Sequence, residues 1–187
     1  MSGFVDHLLS LPAWVALLIV FAIPALESSA FLGFVFPGET VVILGGVMAS
    51  LGRAPLAAMI AAAVVGAILG DAIGYGVGHR WGRQVLDSTL GRFVDARHLD
   101  RAEEALRRRG AWAVFVGRFT VALRVMVPGL AGMSRLPLRT FLPANVAGGI
   151  AWGATMVTAG YLAGTGYKRI EHDASLVGLA QIARAHV

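Results

Sequence analysis

Gly117-Arg118-Phe119-Thr120-Val121-Ala122-Leu123-Arg124-Val125-Met126-Val127-Pro128-Gly129-Leu130-Ala131-Gly132 is the stretch whose reading decides the fold. Two arginines sit inside an apolar run that then meets Pro-Gly. A charge at the centre of a lipid-facing helix costs about 2.5–3.5 kcal/mol on insertion scales. The arginines must therefore face protein, water or a ligand. Pro128 removes a backbone donor and Gly129 frees the backbone, so a break in the helix is expected there.

The rest of the chain supports a membrane setting. Of 187 residues, 57% are hydrophobic and 14% charged, against about 25% charged in soluble domains. Mean hydropathy is +0.71. The 24 glycines suit close helix packing in a bilayer. There is no cysteine, which excludes disulfides, thiolate metal sites and cysteine nucleophiles. The net charge of +5 is concentrated between Arg80 and Arg109, beside apolar segments. That is a positive-inside pattern rather than a nucleic-acid stripe.

A single membrane domain over residues 1–187 is expected. The first half covers 8–78. Leu8 to Leu26 is long enough to cross a core about 30 Å thick, and reads as a retained anchor rather than a cleaved signal. Glu27-Ser28-Ser29 interrupts it. The segment 27–52 is broken again at Phe36-Pro37-Gly38-Glu39-Thr40, which predicts a re-entrant hairpin rather than one kinked helix. Ala54 to Gly78 reads as a spanning helix. Gly66, Gly70, Gly74 and Gly78 lie on one of its stripes, with packing as the plain explanation. Asp71 and Tyr75 lie beside that stripe, one turn apart.

Residues 79–110 form the polar part of the chain, with Arg80, Arg83, Arg92, Arg97, Arg101, Arg107, Arg108 and Arg109 interleaved with Asp95, Asp100, Glu103 and Glu104. They read as a basic, amphipathic cytoplasmic linker. It serves as a topology anchor or as a binder of anionic head groups. The second half covers 111–166, with the broken segment 111–133 followed by a spanning helix from Phe141 to Ala163. Asn145 and Trp152 lie within that helix. Lys168 to Asp173 form a polar break before the C-terminal segment 167–187. Each half thus holds a broken segment and then a clean span, the sequence pointer to inverted-repeat transporters. The predicted fold is an all-α polytopic membrane protein with two opposed re-entrant hairpins plus spanning helices.

Glu27 and Glu39 lie in the first broken unit, Arg118 and Arg124 in the second. Opposite charges make burial tolerable. On one continuous helix the two arginines would diverge by about 120°, so convergence needs unwinding toward Pro128-Gly129. Guanidinium groups suit a phosphate, offering a planar, permanently charged fork. The carboxylates would hold the arginines when no anion is present, or take up a proton when the pair opens. A purely stabilising cluster is the competing reading, but buried ion pairs stabilise poorly compared with apolar packing. No nucleophile–base pair, metal-ligand spacing or nucleotide loop is present in the sequence. No enzyme activity, cofactor or metal is expected.

Three blocks resemble the DedA family, the bacterial branch of the VTT (SNARE-associated Golgi protein) domain. They are Glu27 with Phe36-Pro37-Gly38-Glu39; Gly70-Asp71-x-x-Gly74-Tyr75-x-x-Gly78-x-Arg80-x-Gly82; and Gly117-Arg118-Phe119-x-x-x-x-Arg124-x-x-x-Pro128-x-x-Ala131-Gly132, continuing to Phe141, Asn145 and Trp152. Two details depart from the family pattern. Val121 stands where many relatives have proline, and His79 separates Gly78 from Arg80. The resemblance implies a multi-pass protein of the bacterial inner membrane that returns undecaprenyl phosphate across the bilayer, dependent on proton motive force and tied to the cell envelope. Non-selective phospholipid scrambling and proton-coupled ion antiport are the alternatives. On this reading Arg118 and Arg124 bind the lipid phosphate, and Glu27 and Glu39 supply counter-charge or the coupling proton. Asp71, Tyr75, Pro37, Gly38, Pro128 and Gly129 support them. The expected partners are the bilayer, a lipid phosphate or phospholipid and protons, with a homo-oligomer allowed and no nucleic acid.

Overall fold

The computed structural model describes residues 11–29, 38–87, 104, 106 and 108–185. Six long or short helices dominate these residues: α1 (Ala13–Ser29), α2 (Gly38–Ser50), α3 (Leu56–Asp87), α4 (Ala111–Gly117), α5 (Val121–Met133) and α6 (Leu138–Ala185). The described residues contain no strand. Leu56–Gly82 and Leu138–Gly166 are long and apolar enough to cross a bilayer, at 27 and 29 residues. α2 and α5 have 13 residues each, about 20 Å at 1.5 Å per residue, too short to span. The short lengths fit broken segments. Phe36 and Pro37, where the break is expected, lie outside the described residues.

Proline starts the helices. Pro12, Pro55 and Pro137 each directly precede α1, α3 and α6. Their carbonyls accept the first helical N–H groups, at 3.0–3.1 Å for Pro12 and Pro55 and 2.8–3.0 Å for Pro137. Proline suits a helix start because its missing donor would have no partner there.

Four sequence expectations are corrected. Glu27-Ser28-Ser29 does not interrupt a helix; α1 runs through it to Ser29. The linker expected from 79 begins later, because α3 continues to Asp87. Lys168 to Asp173 do not break the last helix, since α6 passes through them to Ala185. Polar residues such as Lys, Arg and Glu are good helix formers, and only Gly or Pro would have ended it cheaply. Finally, the second broken segment does not open at Pro128-Gly129. Pro128 lies inside α5, and the helix breaks at Arg118 to Thr120 instead. Phe119 and Thr120 close tight turns onto Val116 and Gly117, and Thr120 turns extended at φ −114°, ψ 121°.

The two short helices end alike. After α2, Arg53 N–H bonds Met48 C=O at 3.1 Å and Gly52 N–H bonds Ala49 C=O at 3.0 Å, with Gly52 at φ 74°. After α5, Leu136 bonds Ala131 at 2.9 Å and Arg135 bonds Gly132 at 3.0 Å, with Arg135 at φ 51°. Both are Schellman endings with a left-handed residue two positions past the helix. Both lead through proline into a long helix that begins with leucine.

Small residues set the crossings. A methyl group on Gly66, Gly70 or Gly74 would strike the carbonyls of Phe21, Ala25 and Ser28 on α1. Two further crossings are reciprocal. On α2 and α6, Gly46 faces Val157 C=O and Gly160 faces Ile43 C=O; on α3 and α5, Gly78 faces Gly129 C=O and Gly132 faces Tyr75 C=O. Each short helix thus packs on the long helix of the other half. The glycine stripe is packing, as its spacing suggested.

Two apolar clusters result. One joins Val20, Val42, Met59, Ala63, Trp152 and Val157; the other joins Val114, Met126, Val127, Leu130 and Phe141. Along α3, Asp71 falls between Met59–Ala67 of the first cluster and Tyr75 of the second. Along α6, Asn145 falls between Ala144 of the second and Trp152 of the first. The polar groups therefore occupy a layer between two dry ones. Outside, Val65, Leu69 and Ile73 on α3, and Leu142, Val146 and Ile150 on α6, are exposed at four-residue spacing. Apolar stripes of that kind suit lipid rather than water.

Candidate functional site

The break at Arg118 to Thr120 sends the two arginines to different partners. Arg124, on the first turns of α5, spans two acids: Nη1 donates to Glu39 at 3.0 Å and Nη2 donates to Glu27. Glu27 comes from the end of α1 and Glu39 from the start of α2. The Arg124 guanidinium also lies 5.0 Å from the centre of the Trp152 ring, a cation–π contact. Arg118 leaves the chain at the start of the break. Its Nη2 donates to Asp71 on α3 and to Asn145 Oδ1 on α6 at 2.7 Å. Asn145 Nδ2 in turn donates to the Ile68 carbonyl at 3.1 Å, which turns its oxygen toward Arg118.

Glu27, Asp71, Arg118 and Arg124 are all buried. Glu39 is the open member, with 36% of its side chain exposed. Pro24, Glu27, Ser28, Ala67, Asp71, Arg118, Arg124 and Trp152 line a cavity of about 10 Å³, room for about one water molecule. Gly38 is part of the fit: a methyl there would fall on the Glu27 carboxylate and 3.8 Å from Arg124 Nη2.

Asp71 changes the charge count. Glu27 and Glu39 alone would balance the two arginines. With Asp71 the formal sum is two positive and three negative, or −1 with every group ionised. Arg118 is thus held by Asp71 rather than by either glutamate. Among the described residues no cluster of three or more His, Cys, Asp or Glu is arranged to hold a metal ion.

Other candidate residues stand elsewhere. Tyr75 donates from its hydroxyl to the Leu136 carbonyl at 2.6 Å and stacks on Phe141 at 4.6 Å. It ties α3 to the α5–α6 connection and does not line the cavity. Pro128 is fully buried and Gly129 packs its carbonyl on Gly78, so both serve the α3–α5 crossing. Sequence reasoning gave no role from the residues to Asn145 or Trp152. The signal was there, since a buried amide and an indole N–H inside a spanning helix both need partners.

The VTT domain matches residues 36–162, more than half of the chain and all of the charged residues of the site except Glu27. The chain belongs to the VTT-domain family, in its DedA branch. Uncharacterized membrane protein Rv2637 of Mycobacterium tuberculosis is 39% identical over 165 residues, covering 83% of this chain and 72% of that protein. Inner membrane protein YohD of Escherichia coli is 36% identical over 136 residues, covering 71% and 68%. Uncharacterized membrane protein slr0232 of Synechocystis is 38% identical over 142 residues, covering 75% and 63%. The chain thus spans about two thirds of the length of these relatives. No solved structure matches it. Family and exposed apolar stripes agree on a membrane protein.

Proposed function

We propose that the chain is a lipid-phosphate transporter, with undecaprenyl phosphate as its main cargo and the bacterial inner membrane as its place. The observation that carries this reading is the double grip of Arg124 on Glu27 and Glu39, next to Arg118 in one polar layer. A cluster built for stability alone gains little from such burial. Arginines held by exchangeable carboxylates are suited to handing themselves to a phosphate. The half-exposed Glu39 is the acid that yields first. The 10 Å³ cavity is too small for a phosphate, so the head group enters as the Arg124–Glu39 pair opens, while the lipid tail stays in the bilayer.

Two features support the finer parts of this reading. The matched endings of α2 and α5, and their exchange of partner helices, fit a duplicated fold with two opposed re-entrant hairpins. The third carboxylate leaves the layer one negative charge in excess even before a phosphate enters, so an entering phosphate adds to the excess and protons taken up by the carboxylates would offset it. The same excess favours a second reading, proton-coupled cation antiport, in which a cation alternates with the proton.

The test is transport in liposomes. The purified chain is expected to move undecaprenyl phosphate between leaflets, and Arg118→Ala and Arg124→Ala to abolish that movement. Movement at the parent rate in both variants would overturn the site. Cation/proton exchange without any lipid phosphate would favour the second reading. Equal movement of phosphatidylcholine would turn the function to non-selective scrambling.

A further inference from the structure

Two donors in the polar layer have no acceptor among the described residues: Arg118 Nη1 and Trp152 Nε1. Both are buried, Arg118 at 6% exposure and Trp152 at 3%, and both side chains line the same cavity. A buried donor without an acceptor costs the full loss of its hydration, and such groups are rare unless something else meets them. Arg118 Nη2 is satisfied by Asp71, Asn145 and the Ala67 carbonyl. Its Nη1 is turned instead to the notch left by Gly149, where a methyl group would come within 2.9 Å of it. Trp152 carries Arg124 on its ring face. One indole thus meets a cation with its face and keeps its N–H unused.

We propose that Trp152 is a third ligand-binding residue of this site, donating its indole N–H to an oxygen of a phosphate group whose other oxygens are taken by Arg118 and Arg124. This rests on the lipid-phosphate reading above. The division of labour follows from the chemistry of the side chains. Indole is a donor that never accepts, so it meets an anion and repels nothing. It adds direction without adding charge to a layer that already holds five ionisable groups. Its bulk also keeps the Arg124 guanidinium in place when the glutamates let go, since the cation–π contact needs no carboxylate. The ligand class is a phosphate ester or free phosphate, and the experiment separates the two sources.

The other three tryptophans make the test clean. Trp14, Trp81 and Trp112 are exposed at 69%, 47% and 59%, so Trp14→Phe, Trp81→Phe and Trp112→Phe together leave Trp152 as the one indole. In nanodiscs, the 15N-labelled indole N–H resonance of that chain is followed on adding three probes: dioleoyl phosphatidic acid, inorganic phosphate, and dioleoylglycerol as the same tails without phosphate. A saturable downfield shift with phosphatidic acid and none with dioleoylglycerol is expected. A shift with inorganic phosphate as well assigns the site to the phosphate group alone; a shift with phosphatidic acid only assigns it to the lipid. In the parent background, Trp152→Phe keeps a ring under Arg124 and removes the donor, and is expected to weaken phosphatidic acid binding about tenfold or more. If the parent binds phosphatidic acid while the indole signal stays still, the role of Trp152 is overturned and the transporter reading stands. If the parent binds neither phosphate probe, both are overturned.

Discussion

Arg118 reaches from the break between α4 and α5 to Asp71 on α3, and both side chains of the pair are more than nine-tenths buried. Neither can be removed alone without leaving its partner's charge unpaired in the buried polar layer. Losing one partner of such a pair costs about 3–5 kcal/mol, whereas replacing both with apolar groups is often nearly neutral. Asp71→Ala is therefore expected to lower thermal stability strongly in detergent or nanodiscs. Adding Arg118→Met should recover most of that loss. If the double variant instead loses the sum of the two single losses, the pair is not coupled.

Gly38 and Glu27 make a second, tighter relationship. In a helix Gly→Ala normally stabilises by about 0.5–1 kcal/mol. At Gly38 the new methyl would displace the Glu27 carboxylate from Arg124. Gly38→Ala is expected to cut lipid-phosphate movement tenfold or more, with its helix gain offset by the displaced pair. Gly76→Ala is the control, because nothing lies within 4 Å of the added methyl. It should raise the melting temperature and leave transport unchanged. Equal transport in Gly38→Ala and parent would separate Glu27 from the site.

Val121 opens α5, and the residue before it is extended at φ −114°, ψ 121°. That is the backbone a residue adopts before proline. The first position of a helix also has no intrahelical use for its N–H. Val121→Pro is expected to fold normally and to gain about 0.4–1 kcal/mol from a stiffer unfolded chain. A fall in melting temperature of several degrees would show that the break at Thr120 is shaped otherwise.

Arg135 ends α5 in the left-handed region at φ 51°, where the matching ending of α2 has Gly52 at φ 74°. A side chain in that region costs about 1–2 kcal/mol. Arg135→Gly is expected to raise stability by about 0.5–1 kcal/mol, after the greater freedom of glycine in the unfolded chain is counted. Thermal unfolding of the two proteins side by side checks it. A lower melting temperature would mean that the Arg135 side chain stabilises more than its backbone costs.

The sequence by itself determined the membrane setting, the two long spans and the packing stripe, because these follow from local patterns of hydropathy and small residues along one helix. It also determined that Glu27, Glu39, Arg118 and Arg124 need partners, since a charge in an apolar run has nowhere else to go. Two matters were decided only by the tertiary structure. One was the place of the second break. Pro128 looked like the breaker, yet its side of α5 is buried against the Gly74–Gly78 stretch of α3, and packing keeps the helix intact through it. The other was the pairing. Asp71 takes Arg118 and both glutamates take Arg124 because glycine-to-carbonyl crossings bring α1, α2, α3, α5 and α6 close enough for one polar layer. The ion pairs they bring together join residues up to 97 positions apart, and no local pattern encodes which of three carboxylates meets which of two arginines.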